Sequence, residues 1–166
     1  MYPVSGTEPD GGSQQIFTSR LGNVTSNYSL VTRIIGISWP SFSCNYAGQV
    51  YFADSSAGDV VFELPPNVTA WSGVIEPISP DGPLYYEITV FANDGTTARL
   101  TQSLFPVDGA GLFGFVSFNG ATISKVTVIS DPTSGGFNIA QMQVSDSIVC
   151  LSGTTNVCTT SQVIKG

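Results

Sequence analysis

The run Leu84-Tyr85-Tyr86-Glu87-Ile88-Thr89-Val90-Phe91-Ala92, followed at once by Asn93-Asp94-Gly95-Thr96, decides the fold class. Successive side chains on a strand point to opposite faces. Alternation therefore places Tyr86, Ile88, Val90 and Ala92 on one side and Tyr85, Glu87 and Thr89 on the other. β-branched and aromatic residues dominate the run, as a half-buried pleated surface requires. The Asp-Gly pair that ends it readily takes the positive φ of a tight hairpin turn. A second strand, 98–103, follows directly.

The same grammar extends in both directions. Upstream lie β-like runs at 29–38, 49–53, 59–64 and 70–76, and downstream at 111–118, 122–130 and 137–144. Turn signals separate them at the spacing of a sandwich. Examples are Pro65-Pro66, Pro80-Asp81-Gly82-Pro83, Asn119-Gly120, Asp131-Pro132 and Gly135-Gly136. No stretch of ten or more residues carries helical periodicity with caps. The expectation is an all-β, two-sheet antiparallel β-sandwich of the jelly-roll kind. Within 122–130, Ile123 falls on the face opposite Val126 and Val128, which calls for a bulge or burial on both faces. The run 111–118 is apolar on both faces, as in a central strand covered on both sides or one lying under a loop.

The domain expectation follows. Residues 1–18 begin MYPVSGTEPDGGSQQ, rich in Pro, Gly and Ser, and read as an N-terminal tail. Residues 19–148 form the sandwich. Residues 149–166 form a C-terminal loop or strand. The 166 residues are enough for one domain with a genuine core. No secretory leader is evident at Met1, and no run is long and apolar enough to span a bilayer.

Charge excludes several functions. Only 10% of residues are charged and the net charge is −7. Arg20, Arg33, Arg99, Lys125 and Lys165 are scattered. Phosphate backbones and anionic membranes attract clustered cations, so nucleic-acid binding and membrane insertion are not expected. The polar surface is Ser, Thr, Asn, Gln and Gly, a coat associated with an extracellular or cell-surface setting.

There is no histidine, which removes histidine-based triads and histidine metal sites. Glu63, Glu76 and Glu87 are the candidates for a glycosidase-type acid pair. The plainer reading puts them on solvated strand faces or beside an arginine, so no enzyme activity is expected. No cofactor is expected. A structural calcium is the remaining ion, since Asp54, Asp59, Asp81, Asp94, Asp108 and Asp131 all lie in or beside turns. An Asp in a turn more often serves its own backbone.

Three further features carry chemistry. The cysteines are Cys44, Cys150 and Cys158. A Cys150–Cys158 disulfide would staple the C-terminal loop, contributing about 2–3 kcal/mol. A Cys44–Cys150 bridge is the competitor, and either leaves one thiol over. Trp39, Tyr46, Trp71 and Tyr85 are candidate glycan contacts, with Tyr51, Tyr86, Asn45 and Gln49 as supporting residues. The apolar face of a sugar stacks on a ring while an amide fixes a hydroxyl. The triplets at Asn23, Asn27 and Asn67 match the glycosylation sequon.

From 49 to 144 the chain resembles the extracellular β-sandwich region of PEP-CTERM-sorted bacterial surface proteins. The resemblance lies in the order of several degenerate pieces. They are Val60-Val-Phe-Glu-Leu-Pro, Val68-Thr-Ala-Trp-Ser-Gly-Val-Ile-Glu-Pro, Tyr86-Glu-Ile-Thr-Val-Phe-Ala-Asn-Asp-Gly, Gly111-Leu-Phe-Gly-Phe-Val-Ser, Ile123-Ser-Lys-Val-Thr-Val and Gly136-Phe-Asn-Ile-Ala-Gln-Met-Gln-Val. It implies a jelly roll similar to carbohydrate-binding modules, secretion, and a surface or matrix role. The sorting signal itself is not in this sequence. Ala140-Gln141 stands where such modules often carry a calcium-holding acid.

The leading functional expectation is a non-catalytic extracellular structural or adhesive protein. It would self-assemble into a filament or matrix, joined through terminal strands to copies of itself or other surface proteins. Gln15-Ile16-Phe17 and Val163-Ile164 are the β-capable terminal segments, able to add to a neighbour's sheet edge. The alternatives are a carbohydrate-binding module with glycan partners, and a virion surface or decoration protein.

Overall fold

The computed structural model describes residues 1–42, 46–78, 84–105, 109–117 and 120–147. Its strands are β1 (Tyr2–Pro3), β2 (Ser13–Ser19), β3 (Gly22–Ile34), β4 (Gln49–Asp54), β5 (Val60–Glu63), β6 (Ala70–Pro77), β7 (Leu84–Ala92), β8 (Thr97–Leu104), β9 (Gly111–Val116), β10 (Ile123–Ser130) and β11 (Gly136–Ser145). A 3-10 turn at Ser55–Ala57 links β4 to β5. Every ladder between these strands is antiparallel.

Two layers form the sandwich. The first runs β5-β10-β7-β8 and the second β4-β11-β6-β9. The thirteen-residue β3 joins them. Thr25 and Ser26 of its early half pair with β5, and residues 31–34 of its late half pair with β4. β2 follows β3 as a hairpin partner. One lateral side is thus closed by β2 and β3, while β8 and β9 end the two layers on the other.

Alternation supplies the core. Tyr86, Ile88, Val126, Val128 and Phe62 of the first layer meet Tyr51, Ile75, Phe113, Phe137 and Ile139 of the second in one buried cluster. The Tyr86 and Phe137 rings meet edge-on at 6.2 Å across the layers. The Tyr86 hydroxyl donates to the Gly136 carbonyl at 3.0 Å. Burial pushes its phenol up to about 12.

The nine runs expected from 29 to 144 all appear as strands. Their details carry three corrections. First, residues 1–18 are not a tail. β1 pairs with β11, β2 pairs with β3, and Gly11 and Gly12 exchange backbone bonds with Thr32. Phe17 is fully buried, edge-on to Tyr51 at 4.9 Å and to Phe62 at 6.3 Å. It plugs the seam between the layers, so Gln15-Ile16-Phe17 is committed to its own sandwich. The Gly/Pro content of the first twelve residues and the register slip between Gln14 and Ile16 leave no alternation by which the strand could be read. Second, 111–118 is not a central strand. β9 ends its layer, with Phe113 and Phe115 inward and Leu112 and Val116 half-buried. Third, the β7–β8 turn is a three-residue loop. Only Gly95 takes positive φ (87°), and Ala92 N donates to Thr96 O. The bulge expected near Ile123 is present, as a register shift between Ile123 and Lys125.

Candidate functional site

Alternation on the second layer sends every other residue to its outer face. On that face Phe52 of β4, Asn138 of β11 and Glu76 of β6 lie directly opposite one another in a single row. Opposed Cα atoms in antiparallel ladders stand about 4.5–5.5 Å apart. The three side chains are therefore neighbours.

Each member is unusual for an outer face. Asn138 has no solvent exposure, and among the described residues neither its Nδ2 nor its Oδ1 has a hydrogen-bond partner. Glu76 is only 5% exposed. All eight residues of β6 are buried. Phe52 carries Trp39 stacked on it, rings 6.0 Å apart at 30°. A turn sets that ring. Gly36 N donates to Trp39 O, the amides of Ile37, Ser38 and Trp39 converge on the Ile34 carbonyl, and Ser38 Oγ accepts from Ile34 N. The Ser38 hydroxyl also donates to Asp10, tying the turn to the N-terminal segment. Trp39 keeps part of its surface in solvent.

The adjoining row is apolar. Val50, Ala140 and Val74 lie side by side, packed with Phe42 and Ala110 and flanked by Ile35, Tyr46 and Leu112. Phe42 and Tyr46 meet edge-on at 5.7 Å, and the Tyr46 hydroxyl donates to the Gln49 carbonyl at 3.0 Å. Burial first, and then the nearby Tyr51, raise the Tyr46 phenol. It stays a neutral donor at ordinary pH. On the same face, Arg33 has a buried Nε with no hydrogen-bond partner among the described residues.

The candidate residues separate. Trp39 and Tyr46 belong to this face. Trp71 does not: it is fully buried in the inter-layer core beside Phe115 at 6.3 Å, and is corrected to a core residue. Tyr51 and Tyr86 are core residues as well. Tyr85 lies on the outer face of the opposite layer, 63% exposed. Ile16 points to solvent on β2. Cys44, Asn45, Asp81, Asp108, Cys150, Cys158, Val163 and Ile164 lie outside the described residues. Phe52 and Asn138 were not singled out from sequence. The available signal was Asn138 alone, a polar residue in the otherwise apolar run Phe137-Asn-Ile-Ala.

The carboxylates do not converge. Glu87 meets Arg99 at 3.1 Å and Glu63 is exposed, both on the first layer. Glu76 is on the far face of the second layer and is buried rather than solvated. Packed sheets are about 10 Å apart, so Glu76 sits beyond hydrogen-bonding reach of any site holding the other two. Among the described residues, no three of His, Cys, Asp and Glu gather as a metal site. Asp54, Asp94 and Asp131 are each committed to the residue two ahead, accepting from the amide and hydroxyl of Ser56, Thr96 and Thr133. Those bonds hold all three carboxyls below the usual range. Among the described residues no helix is long and apolar enough to cross a membrane.

No protein-family model matches the sequence, and no curated protein matches it. Three solved structures similar to this chain are carbohydrate-binding domains. A xylan-binding domain, CBM22-1, of Xyn10C from Paenibacillus barcinonensis is 9% identical, covering 73% of this chain and 83% of its own, with a TM-score of 0.44. The C-terminal family 22 carbohydrate-binding module of Clostridium thermocellum Xyn10B is 13% identical, covering 76% and 88%, with a TM-score of 0.45. A third family 22 xylan-binding domain is 15% identical, covering 85% and 100%, with a TM-score of 0.46.

Proposed function

We propose that this chain is a non-catalytic extracellular glycan-binding module, with its site on the outer face of the second layer at Trp39, Phe52, Asn138 and Glu76. One observation carries the reading: the Asn138 amide is fully buried, with both polar atoms unpartnered among the described residues, beside a stacked aromatic pair. Buried polar groups are ordinarily paired, and an exception calls for a reason. A sugar supplies one. Its hydroxyls satisfy the amide donor and acceptor together, while its apolar face covers a ring. Trp39 offers the exposed edge of such a site. Asn138 lies beneath with no exposed surface, so a sugar reaches its amide only once the residues covering it move aside, and binding then exchanges its shielding for hydrogen bonds. The chain's −7 charge favours a neutral glycan over a polyanionic one.

The assembly reading loses its N-terminal donor strand, because β2 closes the chain's own sandwich. That moves glycan binding ahead of filament formation through the termini.

The test is titration calorimetry against soluble neutral polysaccharides, xylan included, after a glycan-array screen. Trp39→Ala and Asn138→Ala should each weaken binding at least about tenfold, the equivalent of 1.4 kcal/mol. Tyr85→Ala, on the opposite layer, should leave it unchanged. An array without a hit, or binding lost only in Tyr85→Ala, refutes the site.

A further inference from the structure

The strands that end the sheets differ in how their free edges are guarded. Unpaired edges invite pairing, and proteins blunt them with charge, proline, bulges or covering segments. On β2, Ser5 covers Thr18 by a reciprocal pair of backbone bonds at 3.0 and 2.8 Å. A register slip between Gln14 and Ile16 distorts the same strand. β8 carries Arg99, whose side chain is 67% exposed. Among the described residues β9 has none of these devices. Gly111-Leu-Phe-Gly-Phe-Val116 holds no charge and no proline, and its ladder with β6 runs without a slip.

The hydrogen-bond parity of that edge is fixed. Just beyond the β6–β9 ladder Ser117 N donates to Thr69 O at 2.7 Å, which sets the parity of β9 from Ser117, while Thr69 N turns to Ser145 O of β11. In an antiparallel ladder, alternate residues turn both backbone groups to the same partner. Gly111, Phe113 and Phe115 therefore spend theirs on β6. Leu112, Gly114 and Val116 turn theirs outward, where no strand among the described residues pairs with them.

We propose that this edge pairs with the same edge of a second copy, antiparallel about a two-fold axis through Gly114. The outward set is symmetric about that residue. In this register Gly114 meets Gly114 of the other copy, and Leu112 and Val116 meet each other on the outer face. Phe113 and Phe115 meet on the inner face, where aromatic cross-strand pairs are favourable. A glycine on the axis lets identical residues approach without opposed side chains. Two chains of charge −7 meet along a line that carries no charge. The result is an isologous contact that closes at a dimer, with the second layers of both copies joined in one sheet. It uses neither terminus and stands apart from the glycan reading.

Sedimentation velocity on the full chain tests it. Wild type should pass from monomer to dimer as concentration rises. Gly114→Pro removes the central outward N–H while leaving the β6 ladder intact, so it should remain monomeric with a native circular dichroism spectrum. In a bonded antiparallel pair opposed Cα atoms lie about 5.5 Å apart, within disulfide range. Gly114→Cys should therefore give a covalent dimer on oxidation, assigned to position 114 by peptide mapping. Leu112→Cys should give no 112–112 link, since those positions are about 14 Å apart in this register. The proposal fails if wild type stays monomeric at every concentration. It also fails if folded Gly114→Pro still dimerises, or if the covalent link forms at 112 rather than 114.

Discussion

Replacing Asn138 with leucine should stabilise the protein while abolishing ligand binding. The magnitude follows from the site. Asn138 has no exposed surface, and its Nδ2 and Oδ1 both lack partners among the described residues. A buried donor or acceptor left unmade costs about 1–3 kcal/mol. Leucine has nearly the same shape and no polar atoms; its neighbours Phe52 and Ala140 are apolar, while the buried Glu76 stands on the other side. Even if slight overpacking returns part of the gain, Asn138→Leu should raise stability by about 1–3 kcal/mol. For a chain of this size each kcal/mol moves Tm by about 2–4 °C. Asn138→Ala loses the same unmade bonds but opens a small void, so it should be close to neutral. The control is next door. Ile139→Ala, on the inner face of β11, should cost about 2–5 kcal/mol.

The assay is urea unfolding followed by tryptophan fluorescence, with wild type and all three variants at one temperature. Equal m-values would license direct comparison of midpoints. If Asn138→Leu destabilises by more than about 1 kcal/mol, the amide is paired in solution and the argument from its isolation collapses. A stabilised variant that still binds glycan would be equally damaging, because it separates the amide from the site. Stability gained at the expense of binding is the pattern of a functional residue held at a thermodynamic cost.

Four other outcomes follow. Phe17→Ala should cost about 3–5 kcal/mol in the same unfolding assay, and an effect under 1 kcal/mol would restore residues 1–18 to the status of a tail. Gly136→Ala should be severely destabilising or fail to fold, since Gly136 has φ 114° and a Cβ there would lie 2.0 Å from the Ala53 carbonyl oxygen; normal expression and an unchanged Tm would contradict it. The depressed carboxyls of Asp54, Asp94 and Asp131 contribute stability that is complete above the ordinary aspartate pKa and is lost as pH falls through their folded values, so the unfolding midpoint should drop below about pH 4. Asp94→Ala should flatten part of that decline, and an unchanged acid limb would show that the Thr96 bonds do not matter. At the alkaline end, Tyr86 stays protonated to about 12 while its unfolded form ionises near 10, so its stability contribution is present below pH 10 and lost from there to 12; Tyr86→Phe should blunt that loss.

The fold was legible because the information is local. Strand residues alternate with turn residues from Gln49 to Val144, and each turn has its own chemistry, such as Gly95 at positive φ or Asp131 bonded to Thr133. Ile123 announced its bulge by breaking parity. The N-terminal strands were hidden for the opposite reason. β1 is two residues long and takes its register from β11, more than 130 residues away, so no local pattern exists to read. β2 shows only Gln14 and Phe17 on its buried side, and the slip between them destroys the period.

The site was less legible than the fold, and for a related reason. Trp39 and Tyr46 were visible as aromatics, but so was Trp71, and composition does not tell a rim ring from a core ring. Trp71 faces inward because it stands opposite Phe115 and Val144, both of them core residues. That is a fact about three strands, not about one. Asn138 poses the sharper case. Its strand alternates correctly, so nothing local is wrong with an asparagine there. It becomes anomalous only once β4 and β6 flank it with Phe52 and Glu76 and solvent is excluded. A polar side chain inside an outer face is invisible to periodicity, because periodicity assumes that the outer face is wet. The second layer violates that assumption: the packing of Phe42 and Tyr46 gives it a buried cluster on its outside as well as its inside. Local rules assigned strands and turns, while the departure from them at Asn138 emerged only from three-dimensional register. That departure, an unpaired amide beside a stacked ring, is the observation on which the functional reading stands or falls.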